Sequence, residues 1–146
     1  MSQWKLRIAR WQEDGPALRA VRETVFIHEQ HVPPELEWDK LDEHCIHVLA
    51  TDATENAIGT ARLLADGTIG RMAVLKAWRG KGVGRALLLR LLEEAKKQHL
   101  QQVTLHAQLQ ASEFYRKLGF EIRGEEFMEA GIPHIGMVLK LCGRVE

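Results

Sequence analysis

Three short apolar runs stand out along the chain, Cys45–Thr51, Ala57–Leu64 and Thr68–Leu75. Asp52-Ala53-Thr54-Glu55-Asn56 and Ala65-Asp66-Gly67 separate them, so they predict an antiparallel meander of strands joined by turns. From Val83 the period changes. Leu87, Leu88, Leu91, Leu92 and Ala95 fall on one face of a 3.6-residue repeat, with Lys96, Lys97 and His99 at its end, which predicts an amphipathic helix. Before the meander, Trp4 to Arg10 alternates as a first strand, Asp14-Gly15-Pro16 reads as a helix start, and Leu18, Val21, Val25 and Phe26 share a helical face. After the central helix come a strand at Val103–Ala107, a helix at Gln110–Leu118 closed by Gly119, and a final strand pair at Phe120–Glu126 and Ile135–Leu141.

This order predicts a mixed α/β fold. A helix that links the Thr68–Leu75 strand to the Val103–Ala107 strand makes them parallel neighbours by the crossover rule. Glu29–Glu43, acidic and carrying Pro33-Pro34, is expected to be a loop or a short broken helix over the surface. Its acidic residues Glu35, Glu37, Asp39, Asp42 and Glu43 are read as a solvated stretch, with attraction of a cationic amine as the functional alternative.

Between the third run and the helix lies Arg79-Gly80-Lys81-Gly82-Val83-Gly84-Arg85. The first N–H groups of a helix have no intrahelical acceptor and the helix dipole adds partial positive charge there, so a glycine-rich entry is a ready anion site. The charges of Arg79, Lys81 and Arg85 favour phosphate or pyrophosphate. The loop lacks the Gly-Lys-Ser/Thr ending of a nucleotide P-loop and the full spacing of a dinucleotide fingerprint.

The pattern R-x-x-G-x-G at Arg79, Gly82 and Gly84, following Ile69-Gly70-Arg71-Met72-Ala73-Val74-Leu75, resembles the acyl-CoA pyrophosphate motif of the GNAT N-acetyltransferase superfamily. Ala111-Ser112-Glu113-Phe114-Tyr115-Arg116-Lys117-Leu118-Gly119-Phe120 resembles that family's second signature. Val25–Pro33, with Glu37-Trp38-Asp39 and Asp42-Glu43-His44, is similar to the ElaA-like bacterial branch. The resemblance implies a mostly antiparallel sheet with a splayed parallel central pair and about four helices, residues 1–146 forming one catalytic domain. It also implies that acetyl-CoA is the cosubstrate. Its pyrophosphate would lie on Arg79, Gly80, Lys81, Gly82, Val83, Gly84 and Arg85, and its pantetheine arm on Met72, Ala73 and Val74. An amide-bearing arm can add to a free strand edge as a peptide does.

Gly70 marks either a bulge that begins the splay or a point of close packing. Tyr115, the one tyrosine in the chain, occupies the family's acid position, where a phenol can supply a hydrogen bond to the departing thiolate. Where several relatives carry a basic glutamate this chain has Thr68, which cannot act as a base at neutral pH. Glu29 and His44, with Glu43, His47 and His106, are the remaining candidates for that role. Gln108 and Gln110 lie where many members have an asparagine that meets the cofactor.

Twenty acidic residues balance twenty basic ones among 146, so nothing in the overall charge favours nucleic acid or an anionic membrane as partner. Two cysteines, Cys45 and Cys142, are too few for a disulfide framework. No secretory leader or bilayer-spanning run is visible, and no metal-ligand spacing recurs. The expectation is a cytoplasmic monomer or homodimer that acetylates a small-molecule amine or peptide. A non-catalytic acyl-CoA sensor is the alternative.

Overall fold

A computed structural model of the chain describes residues 3–141; Cys142 lies outside them. The elements in order are β1 (Trp4–Ala9), α1 (Trp11–Arg22), α2 (Pro34–Glu37), β2 (Ile46–Asp52), β3 (Ala57–Leu63), β4 (Ile69–Val74), α3 (Val83–Lys97), β5 (Gln102–Gln108), α4 (Ser112–Arg116), β6 (Glu121–Glu129) and β7 (Ile132–Lys140). A π-helical turn, Glu23–Glu29, extends α1, and single 3-10 turns lie at Asp42–His44, Lys76–Trp78 and Leu109–Ala111.

β1-β2-β3-β4 form one antiparallel sheet and β5-β7-β6 a second. The meander read from the sequence supplies β2, β3 and β4 of the first sheet, with β1 added at its edge, and the closing pair is the β6–β7 hairpin with β7 inserted between β5 and β6. The sheets meet at one parallel bridge, Thr68 to Thr104, where the Thr104 N–H donates to the Gly67 carbonyl at 3.0 Å. Beyond that point β4 and β5 part. Gly67 sits at the junction with φ +95°, and a Cβ there would stand 2.8 Å from the Gln102 carbonyl oxygen, so only glycine lets the strands close up.

The helices cover both faces of the first sheet. Leu87, Leu88 and Leu91 of α3 are fully buried among Val48, Ala50, Ile58 and Ala61, each worth about 1.5–3 kcal/mol of burial. On the opposite face Leu18 and Val21 of α1 pack against Leu49 and Ala73. β2 and β3 are therefore buried along most of their length.

Three expectations need correction. α1 begins at Trp11, ahead of Asp14-Gly15-Pro16, because the Asp14 carboxylate reaches back to accept the Arg10 N–H at 2.9 Å and holds the first turn, leaving Pro16 inside the helix. The Gln110–Leu118 helix is a 3-10 turn followed by the short α4, with Gly119 ending the segment at φ +102°. The acidic stretch is not solvated throughout: Glu37 and Asp42 are 3% and 2% exposed, since arginines from three elements converge on them.

Candidate active site

The parting of β4 and β5 opens a cleft of about 840 Å³. Val74 and Arg79 line it, and after Arg79 the chain enters α3 through Gly82, which has φ +88° and ψ 3° and forms the cap of that helix. No side chain caps the helix and no acid lies in its first turn. The earliest intrahelical bond uses the Ala86 N–H, to the Gly82 carbonyl at 3.0 Å, so the N–H groups of Val83, Gly84 and Arg85 are left for an outside acceptor. Gly80 and Gly82 have open space where a Cβ would project, and Lys81 and Arg85 are exposed. The loop can hold an anion of phosphate type.

Arg79 is differently placed. Its guanidinium forks onto both carboxylate oxygens of Glu29, at 2.7 Å each, while its Nε donates to the Val74 carbonyl at 2.9 Å. The hydrogen bond to Arg79 holds the Glu29 carboxyl below its usual range. Glu29, brought there by the π-helical turn, is thus tied to the phosphate loop.

The exposed edge of β4 follows from its register. The Leu75 N–H donates to the Ile58 carbonyl at 2.9 Å, so strand alternation directs the Ala73 backbone toward β3 and the Val74 backbone away from it. Thr60 pairs with Ala73 and Arg62 with Gly70, which leaves Arg71 and Met72 together opposite Ala61. This is a β-bulge, and Arg71 takes φ +50° in it. Gly70 directly precedes the bulge and lines the cleft. Nothing lies within 4 Å of where its Cβ would be, so close packing is not its role.

Tyr115 lies across the cleft from this edge. It is 9% exposed, with its ring edge-on to Phe114 at 5.0 Å and Phe120 at 5.8 Å. Burial alone pushes its hydroxyl up to about 12, so it stays protonated, a donor, throughout the neutral range. Gln108, on the same wall, donates to Gln30 at 2.9 Å, and Gln110 donates to Gln108.

The β4 wall continues into a buried ionic network. Arg22 Nε and one terminal nitrogen meet Glu37 and Asp42, each at 2.8 Å. Arg62 reaches Asp39 at 2.8 Å and Asp42 at 2.9 Å, and Arg71 reaches Glu37 and Asp39 at 3.2 Å. Three cations face three anions. Burial raises the Glu37 carboxyl against the pull of its arginines, whereas the hydrogen bonds from Arg62 hold Asp39 down at about 2.

Of the candidate bases, Glu29, Glu43, His44 and His47 do not line the cleft. His44 and Glu43 are exposed on the 3-10 turn. His47 is 1% exposed, stacked on Trp11 at 5.2 Å, and its Nε2–H donates to the Asp42 carbonyl at 2.9 Å; burial pushes it down. His106 does line the cleft, and its Nδ1 donates to Glu129 at 2.8 Å.

Two further lining residues, Glu129 and His134, were not singled out by the sequence. The signal was there: in Pro133-His134-Ile135-Gly136-Met137, Ile135 and Met137 are core, so His134 stands on the other face, as His106 does between Leu105 and Ala107. Among the described residues no group of three or more His, Cys, Asp or Glu could hold a metal ion, and no helix is long and apolar enough to cross a membrane.

Residues 12–141 match the family model described as an acetyltransferase (GNAT) domain. The chain is 39% identical over 131 residues to the uncharacterized protein YyaT of Bacillus subtilis (strain 168), covering 86% of this chain and 88% of that one. It is 35% identical over 129 residues to protein ElaA of Escherichia coli (strain K12), covering 83% and 84%. The crystal structure of E. coli ElaA superposes with a TM-score of 0.82 at 30% identity over 95% of this chain and 99% of that one. An acyl-CoA N-acyltransferase from Pseudomonas aeruginosa gives 0.82 at 31% identity with the same coverage.

Proposed function

The chain belongs to the GNAT acetyltransferase family, in an ElaA-like branch, and we propose that it moves an acetyl group from acetyl-CoA to a primary amine by direct attack in a ternary complex. The enzyme is an acyltransferase that draws on an acyl-CoA; acetyl as the group carried and an amine as its acceptor are our reading. One observation carries it. A strand edge with an outward-facing N–H and a buried, protonated phenol line one cleft, and Arg79, which opens the glycine-rich helix entry, lines it with them.

The pyrophosphate lies on the N–H groups of Val83, Gly84 and Arg85, with Lys81 and Arg85 adding charge and Gly80 and Gly82 allowing close approach. Arg79 shapes that loop through the Val74 carbonyl and Glu29. The pantetheine arm pairs with the Val74 N–H as an added strand would, alongside Met72 and Ala73. An N–H of the bulged pair Arg71–Met72 faces the thioester oxygen, where negative charge grows as the amine attacks.

Collapse of the tetrahedral species breaks the C–S bond. Tyr115 hydrogen-bonds to the departing thiolate, and such a charge-assisted bond is roughly twice as strong as a neutral one. We infer a cytoplasmic setting, which the free thiol of Cys45 supports, and a monomer or homodimer as the working unit.

The test is release of free CoA thiol from acetyl-CoA across a panel of arylalkylamines, polyamines, amino acids, amino sugars, aminoglycosides and short peptides. The expected result is release that depends on one amine class. Acetyl-CoA binding with no amine-dependent release across the panel would contradict the proposal.

A further inference from the structure

Glu129, at the end of β6, and His134, on β7, face the cleft with His106 of β5 beside them. The His134 Nδ1 lies 2.6 Å from the Ile132 carbonyl oxygen. A carbonyl only accepts, so Nδ1 carries the hydrogen, and in the neutral ring the lone pair is on Nε2. The ring is held in that pose by stacking on Phe127, with centroids 6.0 Å apart and planes 24° from parallel.

Nε2 lies 4.0 Å from Glu129 Oε2. The other oxygen of Glu129 accepts the His106 Nδ1–H at 2.8 Å, which fixes the carboxylate's orientation. Two acceptors 4.0 Å apart are not a favourable pair by themselves. A primary ammonium group has three N–H donors and can satisfy both at once, one to the carboxylate and one to the imidazole.

The same cleft is lined by the apolar side chains of Leu36, Leu41, Leu64 and Ile132, with Glu37, Arg62 and Arg71 of the ionic network also on its wall. Leu36 and Leu41 are 56% and 46% exposed at its rim. An acceptor that covers them carries hydrocarbon next to its amine.

We propose that Glu129 and His134 form the acceptor site, Glu129 holding the ammonium group of a primary amine on an apolar body and His134 Nε2 taking its proton. The inference rests on the amine-acetyltransferase reading above. The ammonium loses its first proton to Nε2 and becomes a nucleophile, and the protonated ring later returns that proton to solvent. The nitrogen lone pair then forms the C–N bond at the thioester carbon. As the C–S bond breaks, its electron pair leaves on sulfur, and the second proton shed by nitrogen passes to the thiolate through the Tyr115 hydroxyl. His106 is a positioning residue for Glu129.

The experiment uses the full chain with two probes at about pH 8, 2-phenylethylamine and its β,β-difluoro analogue, which has the same body but is mostly neutral at that pH. His134→Gln is expected to lower kcat roughly 100-fold or more with 2-phenylethylamine and less than about 5-fold with the difluoro analogue, with acetyl-CoA affinity unchanged. Glu129→Gln is expected to raise KM for 2-phenylethylamine about tenfold or more with a smaller change in kcat. Equal losses of His134→Gln on both amines would make its role structural, and unchanged rates would remove it from the site. If the wild type acetylates another panel amine but neither probe, the acceptor class is wrong while the acetyltransferase reading stands. If it binds acetyl-CoA and acetylates nothing, both fail.

Discussion

On the β4 wall Arg22, Arg62 and Arg71 face Glu37, Asp39 and Asp42, and among their nitrogens the Arg62 Nε is the one buried without an acceptor. On the β5–β7 wall Glu129 has one close partner, His106, and both side chains are about half exposed. The same chemical types do different work. Where each charge meets two opposite charges and most of the group is buried, charge fixes the Glu29–Glu43 segment over the sheet. Where partnering is incomplete, a half-exposed carboxylate and a buried imidazole beside it can take on an acceptor.

Breaking the β4 wall should have the largest effect. Asp42→Ala leaves three arginines facing only Glu37 and Asp39, one buried positive charge in excess, and is expected to cost about 3–5 kcal/mol, read as a lowered denaturation midpoint. A midpoint within about 0.5 kcal/mol of wild type would show that the network is dispensable. Acid probes the same wall. Asp39 is held at about 2, against 3.8 for the unperturbed group, so its contribution is full above about pH 4 and is lost as pH falls toward 2. His47, held down by burial, acts in the same sense at higher pH: the unfolded chain takes up its proton first as pH falls through the range of a free imidazole, and stability falls with it. Stability that did not fall below pH 4 would count against the Asp39 pairing.

A smaller effect is expected at the donor loop. Gly82→Val forces a β-branched residue to φ +88°, a strain of about 1–2 kcal/mol, and should weaken acetyl-CoA binding about tenfold in calorimetry. Unchanged binding would move the pyrophosphate away from this helix entry. Glu29→Gln should do least. The Arg79–Glu29 pair is about 40% exposed on each side, so its loss is expected to cost under about 1 kcal/mol of stability, with turnover retained. A collapse of turnover would restore Glu29 as a candidate base.

The proposed donor half of the site can be read from the sequence because it is made of consecutive residues. A strand, a glycine turn and a helix entry follow one another from Ile69 to Val83, and the backbone groups that matter come with them. The acceptor half is assembled from separate strands. Glu129 and His134 gain meaning only when β7 inserts between β5 and β6, an arrangement that no local pattern encodes.

The acidic stretch misled for a related reason. Its partners Arg22, Arg62 and Arg71 lie 15 to 34 residues away, so a run that looks solvated by composition is buried by distant pairing. A hint was present in Arg62, a lone charge inside the apolar run Ala57–Leu64. The bulge was legible only in part. Gly70 drew attention to the place, but the residue at positive φ is Arg71, held there through its bonds to the Glu37 carbonyl and carboxylate.

The most direct test of the account is single-turnover acetyl transfer by wild type and Tyr115→Phe, at saturating acetyl-CoA and with the best amine of the panel. The account predicts a rate at least about tenfold lower in the variant, with acetyl-CoA affinity and folding stability little changed. An unchanged single-turnover rate would take Tyr115 out of the chemistry and contradict the mechanism at its centre.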